Sequence, residues 1–436
     1  MLFFLHVPQH TQTVLIALIT LLTLIGIMTR PWKINEAPFA LAGAALLLIV
    51  GLITPGRALF TLLSEWNTFL FFLGMMSLAA LAEVAGLFDW LAVQAAKWSG
   101  NNVRRLFLNT FLLGSLISML FSNDATALIL TPIVYSLVTQ LRLPVIPFLF
   151  ACTFIADTAS FILPVSNPIN IIVNGRLPLD FFTFLRLLTI PCLVVICINI
   201  GLFFLLYRGS LHGTFDIKRL PSQQEAIKHG GYFRYTCIVL GIVAVAYVTA
   251  SAAQFPLSLV ALGGALLLLI GAMRWKQISI PQIGKQISWP IFGFIAGMFV
   301  IVQAVENTGL TQQFGQWLLH LSGGSGFGSV VVGTLGAALG TNLINNVPMA
   351  VVMTSALHNV HHSSLAVQQG FTATTIFGCD LGPNLTTVGS LATVIWLLIL
   401  RQRNLDVSGL DYFKVGIIVT PCMLIAGALT IWLLLP

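Results

Sequence analysis

Charge is what this chain has least of. Only 8% of its 436 residues are Asp, Glu, Lys or Arg, where a soluble globular domain carries about 25%. A chain this poor in charge and 57% hydrophobic cannot keep its surface in water. The composition therefore excludes a soluble protein and predicts an all-α polytopic membrane protein, because helices satisfy their own backbone groups in lipid. The net charge of +7 would suggest nucleic acid in a soluble chain; here it is assigned to cytoplasmic loops, and no nucleic-acid partner is expected. No phosphate-binding loop pattern occurs, so the chain does not itself hydrolyse ATP. Nor is there an H-E-x-x-H pair, a serine-nucleophile motif or a pair of deep histidines, which argues against an enzyme. His358, His361 and His362 read as a solvated turn. The six cysteines (Cys152, Cys192, Cys197, Cys237, Cys379, Cys422) fall in or at the ends of apolar runs without C-x-x-C spacing. Neither a disulfide framework nor a zinc site is indicated, and no metal or cofactor is expected. The first apolar run, Val14 to Met28, lacks a basic leader and an A-x-A-like cleavage site and is read as a retained helix.

What is present is repetition. Trp66, Gly74, Met75, Glu83, Gly86 and Leu87 recur as Trp289, Gly297, Met298, Glu306, Gly309 and Leu310, a constant offset of 223. Gly114, Asn123 and Asp124 align with Gly336, Asn345 and Asn346 at 222, while Asp157 and LPVSNP (Leu163 to Pro168) align with Asp380 and TTVGSL (Thr386 to Leu391) at 223. The expected organisation is a first repeat over 1–208, a polar linker over 209–231 and a second repeat over 232–436.

Each half offers six apolar runs, and the fourth is interrupted at its centre by SNDAT (Ser122 to Thr126) or TNLINN (Thr341 to Asn346). Each part of that run looks too short to span about 30 Å of hydrocarbon, so five transmembrane helices plus a re-entrant hairpin are expected per half. With both termini periplasmic, this arrangement leaves only Arg57, Arg176 and Arg186 of the 20 basic residues outside. An odd number of crossings inverts one half relative to the other. Two inverted repeats with paired hairpins and helices broken at the midplane are transporter architecture, with the site at the repeat interface.

The polar interruptions carry the candidate chemistry. The stretch GCDLGPNLTTVGSLA (Gly378 to Ala392) lies between apolar runs yet holds an acid, a proline, an amide, three hydroxyls and three glycines. Irregular polar chain survives at membrane depth only when buried in protein or lining a wet cavity. Five acids, Glu83, Asp124, Asp157, Glu306 and Asp380, lie well inside apolar runs with no basic residue at that depth. Ionised, they would cost on the order of 15 kcal/mol on insertion scales. They must be protonated, hydrated or coordinated, and Asp124, Asp380 and Asp157 are the candidates for proton coupling. Amides and hydroxyls that both donate and accept (Asn123, Ser166, Asn167, Asn345, Asn346, Asn384, Thr386, Ser390) form the candidate substrate cage.

SNDATALILTPIV (Ser122 to Val134), FIADTASFILPVSNPINIIV (Phe154 to Val173) and GCDLGPNLTTVGSLATVIWL (Gly378 to Leu397) closely resemble the signature segments of ArsB-type arsenite efflux permeases of the ion transporter superfamily. The resemblance runs over essentially the whole chain. It implies a bacterial inner-membrane secondary transporter that exports arsenite and antimonite in exchange for protons, with an ArsA-type ATPase subunit as a further partner. Cys379, beside Asp380, is a weaker candidate to ligate arsenic. The alternative within the superfamily is a sodium- or proton-coupled transporter of another small anion, or a sodium/proton antiporter. Asp124 and Asp380 argue against an anion site.

Overall fold

The computed structural model describes residues 8–29, 35–220, 227, 229–277, 280–358 and 363–436. Arg30, Lys33, Lys228, His361 and His362 lie outside the described residues. Among the described residues there is no strand, only an isolated bridge between Asn102 and Thr214. Nine helices among them are long and apolar enough to cross a membrane. Side chains such as Leu21, Leu22, Ile242, Val245 and Ile425 stand exposed along them, as a lipid-facing surface requires.

The helix order is Gln9–Thr29, Glu36–Ile49, Pro55–Ser64, Trp66–Val84, Leu87–Trp98, Val103–Phe121, Asn123–Gln140, Val145–Thr158, Pro168–Arg176 and Phe181–Leu206. It recurs as Gly230–Ala252, Leu257–Arg274, Ile280–Gln286, Trp289–Asn307, Leu310–Leu321, Gly326–Ile344, Asn346–Ala356, Leu365–Leu381, Leu391–Gln402 and Gly409–Leu433. The offset of 223 now runs through the hairpins as well, since Val103 and Gly326 start one limb and Asn123 and Asn346 the other. Asn123 therefore corresponds to Asn346, not to Asn345. Identity matching slipped by one residue because asparagines adjoin there, whereas the backbone marks the tip itself: Ser122 (φ 112°) and Asn345 (φ 73°) both take positive φ.

Two expectations from sequence need correction. The third apolar run of each half, Thr68 to Ala96 and Pro290 to Leu321, is not one helix; it breaks at Gly86 and Gly309, whose φ values of 78° and 81° are costly for any side chain but free for glycine. The hairpin limbs are also longer than expected. Val103–Phe121 and Gly326–Ile344 have 19 residues each, about 28 Å at 1.5 Å per residue. The limbs nonetheless fold back on each other: a Cβ on Gly114 would lie 3.1 Å from the Leu130 side chain, and Gly340 abuts Met349.

The halves interleave. Trp66–Val84 packs along Leu257–Arg274, and Trp289–Asn307 along Glu36–Ile49. Small residues allow this approach: a Cβ on Gly74 would come within 2.8 Å of the Ala261 carbonyl carbon, and one on Gly297 within 2.6 Å of the Ala40 carbonyl oxygen. These two swapped pairs make a framework around the hairpins and broken helices. An aromatic cluster of Phe107, Phe111, Phe148, Phe154 and Phe203 fills the core of the first half in edge-to-face contacts.

Candidate functional site

Both long polar segments are broken helices. Val145–Thr158 ends beyond Asp157, the chain turns irregularly, and Pro168–Arg176 restarts with Asn167 as its cap. Proline at the first helical position has no N–H to lose, and the Asn167 side chain accepts from Ile169 N at 3.1 Å. In the second half Leu365–Leu381 gives way to a short 3-10 turn over Gly382–Leu385, and Leu391–Gln402 restarts with Ser390 as its cap, its hydroxyl accepting from Ala392 N at 3.2 Å. Gly382 has to be glycine because a Cβ would meet the Ala338 backbone at 2.6 Å.

The two caps, 223 residues apart, do a second job. Asn167 Nδ2 donates to Asp380 Oδ1 at 2.7 Å, and Ser390 Oγ donates to Asp157 Oδ1 at 3.1 Å. Each half thus uses the restart of its own broken helix to hold the buried acid of the other. Asn123 Nδ2 adds a bond to Asp157 Oδ1 at 3.0 Å, joining the first hairpin tip to the same crossing. Asp157 and Asp380 are wholly buried, and the Oδ2 atom of each has no hydrogen-bond partner among the described residues.

At the centre, Asn123, Asp124, Asn167, Asn345 and Asn346 line one small cavity, closed on its apolar side by Phe72, Ile291, Phe294, Ile295, Val347 and Leu391. Both hairpin tips reach it with the amino ends of Asn123–Gln140 and Asn346–Ala356. Helix amino ends present unpaired N–H groups and positive potential. The tips are strained alike: Ser122 at φ 112°, ψ 161° and Asn345 at φ 73°, ψ 157° occupy a region that glycine nearly monopolises. Among the described residues, the buried Oδ1 atoms of Asn123 and Asn345 have no hydrogen-bond partner. A wider vestibule lined by Glu36, Ser288, Thr387, Val388 and Arg401 shares Asn345 and Leu391 with the cavity and adjoins it on one side.

Sequence reasoning grouped more residues than the cavity collects. Ser166 accepts from Leu163 N and donates to Met119 O at 3.0 Å, Asn384 donates to Phe154 O and Thr158 Oγ1, and Thr386 donates to Asn342 Oδ1 at 2.6 Å. These three brace the unwound segments, and they are not among the cavity's lining residues. Cys379 is fully buried and also off the lining. The bracing partners Thr158 and Asn342, Asn199, which donates to Thr158 Oγ1 at 2.9 Å, and the apolar wall of Phe72 and Phe294 are not among the residues the sequence singles out. Asn342 alone carried a signal there, as part of the TNLINN interruption.

A model of the arsenical pump membrane protein family, ArsB, matches residues 15–433. The chain is 31% identical over 407 residues to the arsenical pump membrane protein of Escherichia coli strain K12, covering 92% of this chain and 94% of that one. It is 27% identical over 415 residues to a 46 kDa membrane protein of Mycobacterium leprae, with 92% and 94% covered. Among solved structures, the Alcanivorax borkumensis YdaH transporter superposes with a TM-score of 0.57 at 16% identity, covering 98% of this chain and all of that one. Neisseria gonorrhoeae MtrF, from a class of antimetabolite efflux pumps, superposes with a TM-score of 0.58 at 10% identity, with 99% and 96% covered. At those identities the two structures speak for the fold alone. The match over nearly the whole length settles the family: the chain belongs to the arsenical pump membrane proteins.

Proposed function

We propose that the protein is a secondary active transporter of the bacterial inner membrane that exports arsenite and antimonite from the cytoplasm in exchange for protons. The observation that carries this reading is the central cavity, where two hairpin tips and a half-helix cap converge five polar side chains on one point. Trivalent arsenic in water is a small hydroxylated solute, neutral near pH 7. Amides that donate and accept suit its hydroxyl groups better than fixed cations do. The family match points to the same solute. Asn123, Asn167, Asn345 and Asn346 are the contact residues in this reading. Ser166, Asn384, Thr386 and Ser390 hold the loops that present them.

Asp124 lines the cavity itself, and Asp157 and Asp380 lie at the crossing behind it. In this reading these three carboxyl groups exchange the proton as the molecule alternates between access to one side and to the other. The repeats over 1–208 and 232–436 are inverted across the linker 209–231, and both termini lie in the periplasm, as the distribution of basic residues favours. An ArsA-type ATPase subunit is a further partner that the family suggests.

The test is uptake of radiolabelled arsenite into everted membrane vesicles with and without an imposed proton gradient. Accumulation that follows the gradient is the expected result. Accumulation indifferent to the gradient, in vesicles shown to hold it, would overturn proton exchange.

A further inference from the structure

Two vestibules related by the repeat enter the molecule, and they are not equivalent. The first is lined by Pro290, Thr387, Val394 and Arg401, and the second by their counterparts Asn67, Pro164, Ile171 and Pro178. The first also takes in Asn345 and Leu391, which line the central cavity. The lining of the second includes neither Ser122 nor Pro168, the residues at the corresponding places. The vestibule on the Arg401 face therefore adjoins the cavity, whereas the second shares no lining residue with it.

A charged cluster stands on the face of the second vestibule. Arg176 is the last residue of the half-helix Pro168–Arg176, adjoining Asn174 and Gly175 of the second vestibule. Its Nε and Nη2 atoms donate to Glu65 Oε1 at 3.1 and 2.7 Å. Nη1 donates to Ser355 Oγ at 3.2 Å and lies 3.7 Å from Glu306 Oε1, so Glu306, expected from sequence to have no basic residue at its depth, does have one, because the half-helix ending at Arg176 comes back beside it. Ser355 in turn donates to Glu306, and the guanidinium sits 5.7 Å from the centre of the Phe299 ring. Two of the joined elements, Pro168–Arg176 and Asn346–Ala356, start at the central cavity. The other two, Trp66–Val84, which Glu65 caps, and Trp289–Asn307, belong to the swapped framework. The cluster thus pins the elements that carry the site to the elements that frame it.

The repeat provides an internal control. The counterparts of Arg176, Glu65 and Ser355 on the Arg401 face are Ile399, Ser288 and Pro132, so that face cannot form the same cluster. Arg176 and Glu65 side chains are 25% and 15% exposed, and at such partial burial a charged pair is screened less than one in open water.

We propose that Arg176, held by Glu65, Glu306 and Ser355, is a latch that keeps the second vestibule shut while the first is open, and that it must release for solute to pass on that side. The inference rests on the reading of the protein as an alternating-access transporter.

The test uses a variant without its native cysteines, carrying Val347→Cys in the wall of the central cavity. A membrane-impermeant maleimide is applied to vesicles of each orientation. In the parent the cysteine is labelled from the Arg401 face. Arg176→Gln, and separately Glu65→Gln, should raise the labelling rate from the opposite face on the order of tenfold, the factor that losing one charge-assisted bond gives. The swapped pair Arg176→Glu with Glu65→Arg, made together with Glu306→Gln so that the new carboxylate does not face Glu306, should restore the one-sided pattern. If Arg176→Gln fails to reach the membrane, Glu65→Gln decides, since it leaves the guanidinium on Glu306 and Ser355. Parent-like labelling in variants present at parent levels would overturn the latch. Equal labelling of the parent from both faces would overturn alternating access, and the latch with it.

Discussion

The crossed brace makes a quantitative prediction. Asn167→Ala removes the 2.7 Å bond to Asp380 and the cap on Ile169 N together. Losing a buried hydrogen bond to a carboxyl group costs about 2 kcal/mol, and losing an amide cap about 1 kcal/mol. Asp380, fully buried and with no hydrogen-bond partner at Oδ2 among the described residues, would then have lost the Asn167 bond as well. A loss of about 3 kcal/mol is expected. Ser390→Ala is the same operation at the equivalent place, but Asp157 keeps its bond from Asn123 at 3.0 Å, so the loss should be nearer 2 kcal/mol. The assay is unfolding of purified protein in mixed micelles by graded SDS, read by tryptophan fluorescence; Trp396 is fully buried beside the second break and reports on it. A cycle of Asn167→Ala, Asp380→Ala and the double variant should show a coupling of about 1 to 2 kcal/mol. Additivity within about 0.5 kcal/mol, or a Ser390→Ala cost above that of Asn167→Ala, would refute the brace.

Asn345→Gly should be more stable than Asn345→Ala by about 1 kcal/mol in the same unfolding assay, because both lose the bond to Val388 O but only glycine relieves the φ of 73°. Asp124→Asn, which keeps shape and hydrogen bonding but fixes a neutral group, should lose the proton flux that arsenite triggers in vesicles while arsenite binding to purified protein survives. Wild-type flux would remove Asp124 from coupling. Cys379→Ser should keep most arsenite resistance in cells, since the thiol is buried off the cavity; a dead but well-expressed variant would bring thiol ligation back. At the surface, the Thr183 hydroxyl and then backbone N–H groups hold the Asp180 carboxyl below its usual range. A depressed carboxyl stabilises the fold above its unfolded value and ceases to as pH falls through the folded value. Asp180→Ala should therefore cost about 1 kcal/mol near pH 7 and progressively less below about pH 4, and a cost unchanged by pH would refute the charged cap.

How much of this was legible in the chain follows from the reach of each signal. Class, helix content and the broken segments are written locally, in the scarcity of charge and in residues such as Pro168 and Pro383 that cannot continue a helix. The repeat was visible through Trp66 and Trp289. Its register at the hairpin tips was not, because adjacent asparagines at 345 and 346 offer two equally good matches and only the backbone says which one turns. The amides lining the cavity were legible as polar residues that lipid would not tolerate. Which amides face the cavity and which brace it was not, since Asn384 and Asn167 look alike until Phe154, Thr158 and Asp380 are placed around them. The Arg176 cluster was out of reach for the same reason: Glu65, Arg176, Glu306 and Ser355 come from four separate parts of the chain.

With the register corrected, the places where the repeat fails become informative. A molecule with perfect internal symmetry would hold its solute at a symmetric point and open to either side with equal ease, so nothing in it would tell one side from the other. This chain keeps the symmetry where it builds the machine, in Asn123 and Asn346, Asp157 and Asp380, Asn167 and Ser390 as caps, and Gly74 and Gly297 at the swapped contacts. It abandons the symmetry at a few positions. Asp124 faces the cavity where its counterpart is Val347, Arg176 and Glu65 stand where the other face has Ile399 and Ser288, and Glu36 lines the first vestibule where Leu257 lines the second. Every one of these departures places charge on one side only. The gradient sets the direction of net flux, but any bias of the resting molecule toward one side has to come from such departures, because an inward and an outward state related by symmetry have equal free energy until something breaks the equivalence. Making the faces alike should therefore weaken the bias: Arg176→Ile with Glu65→Ser copies the Arg401 face onto the other. The Val347→Cys reporter should then be labelled from both sides at comparable rates, and a reporter still labelled from one side would show that the bias is held elsewhere.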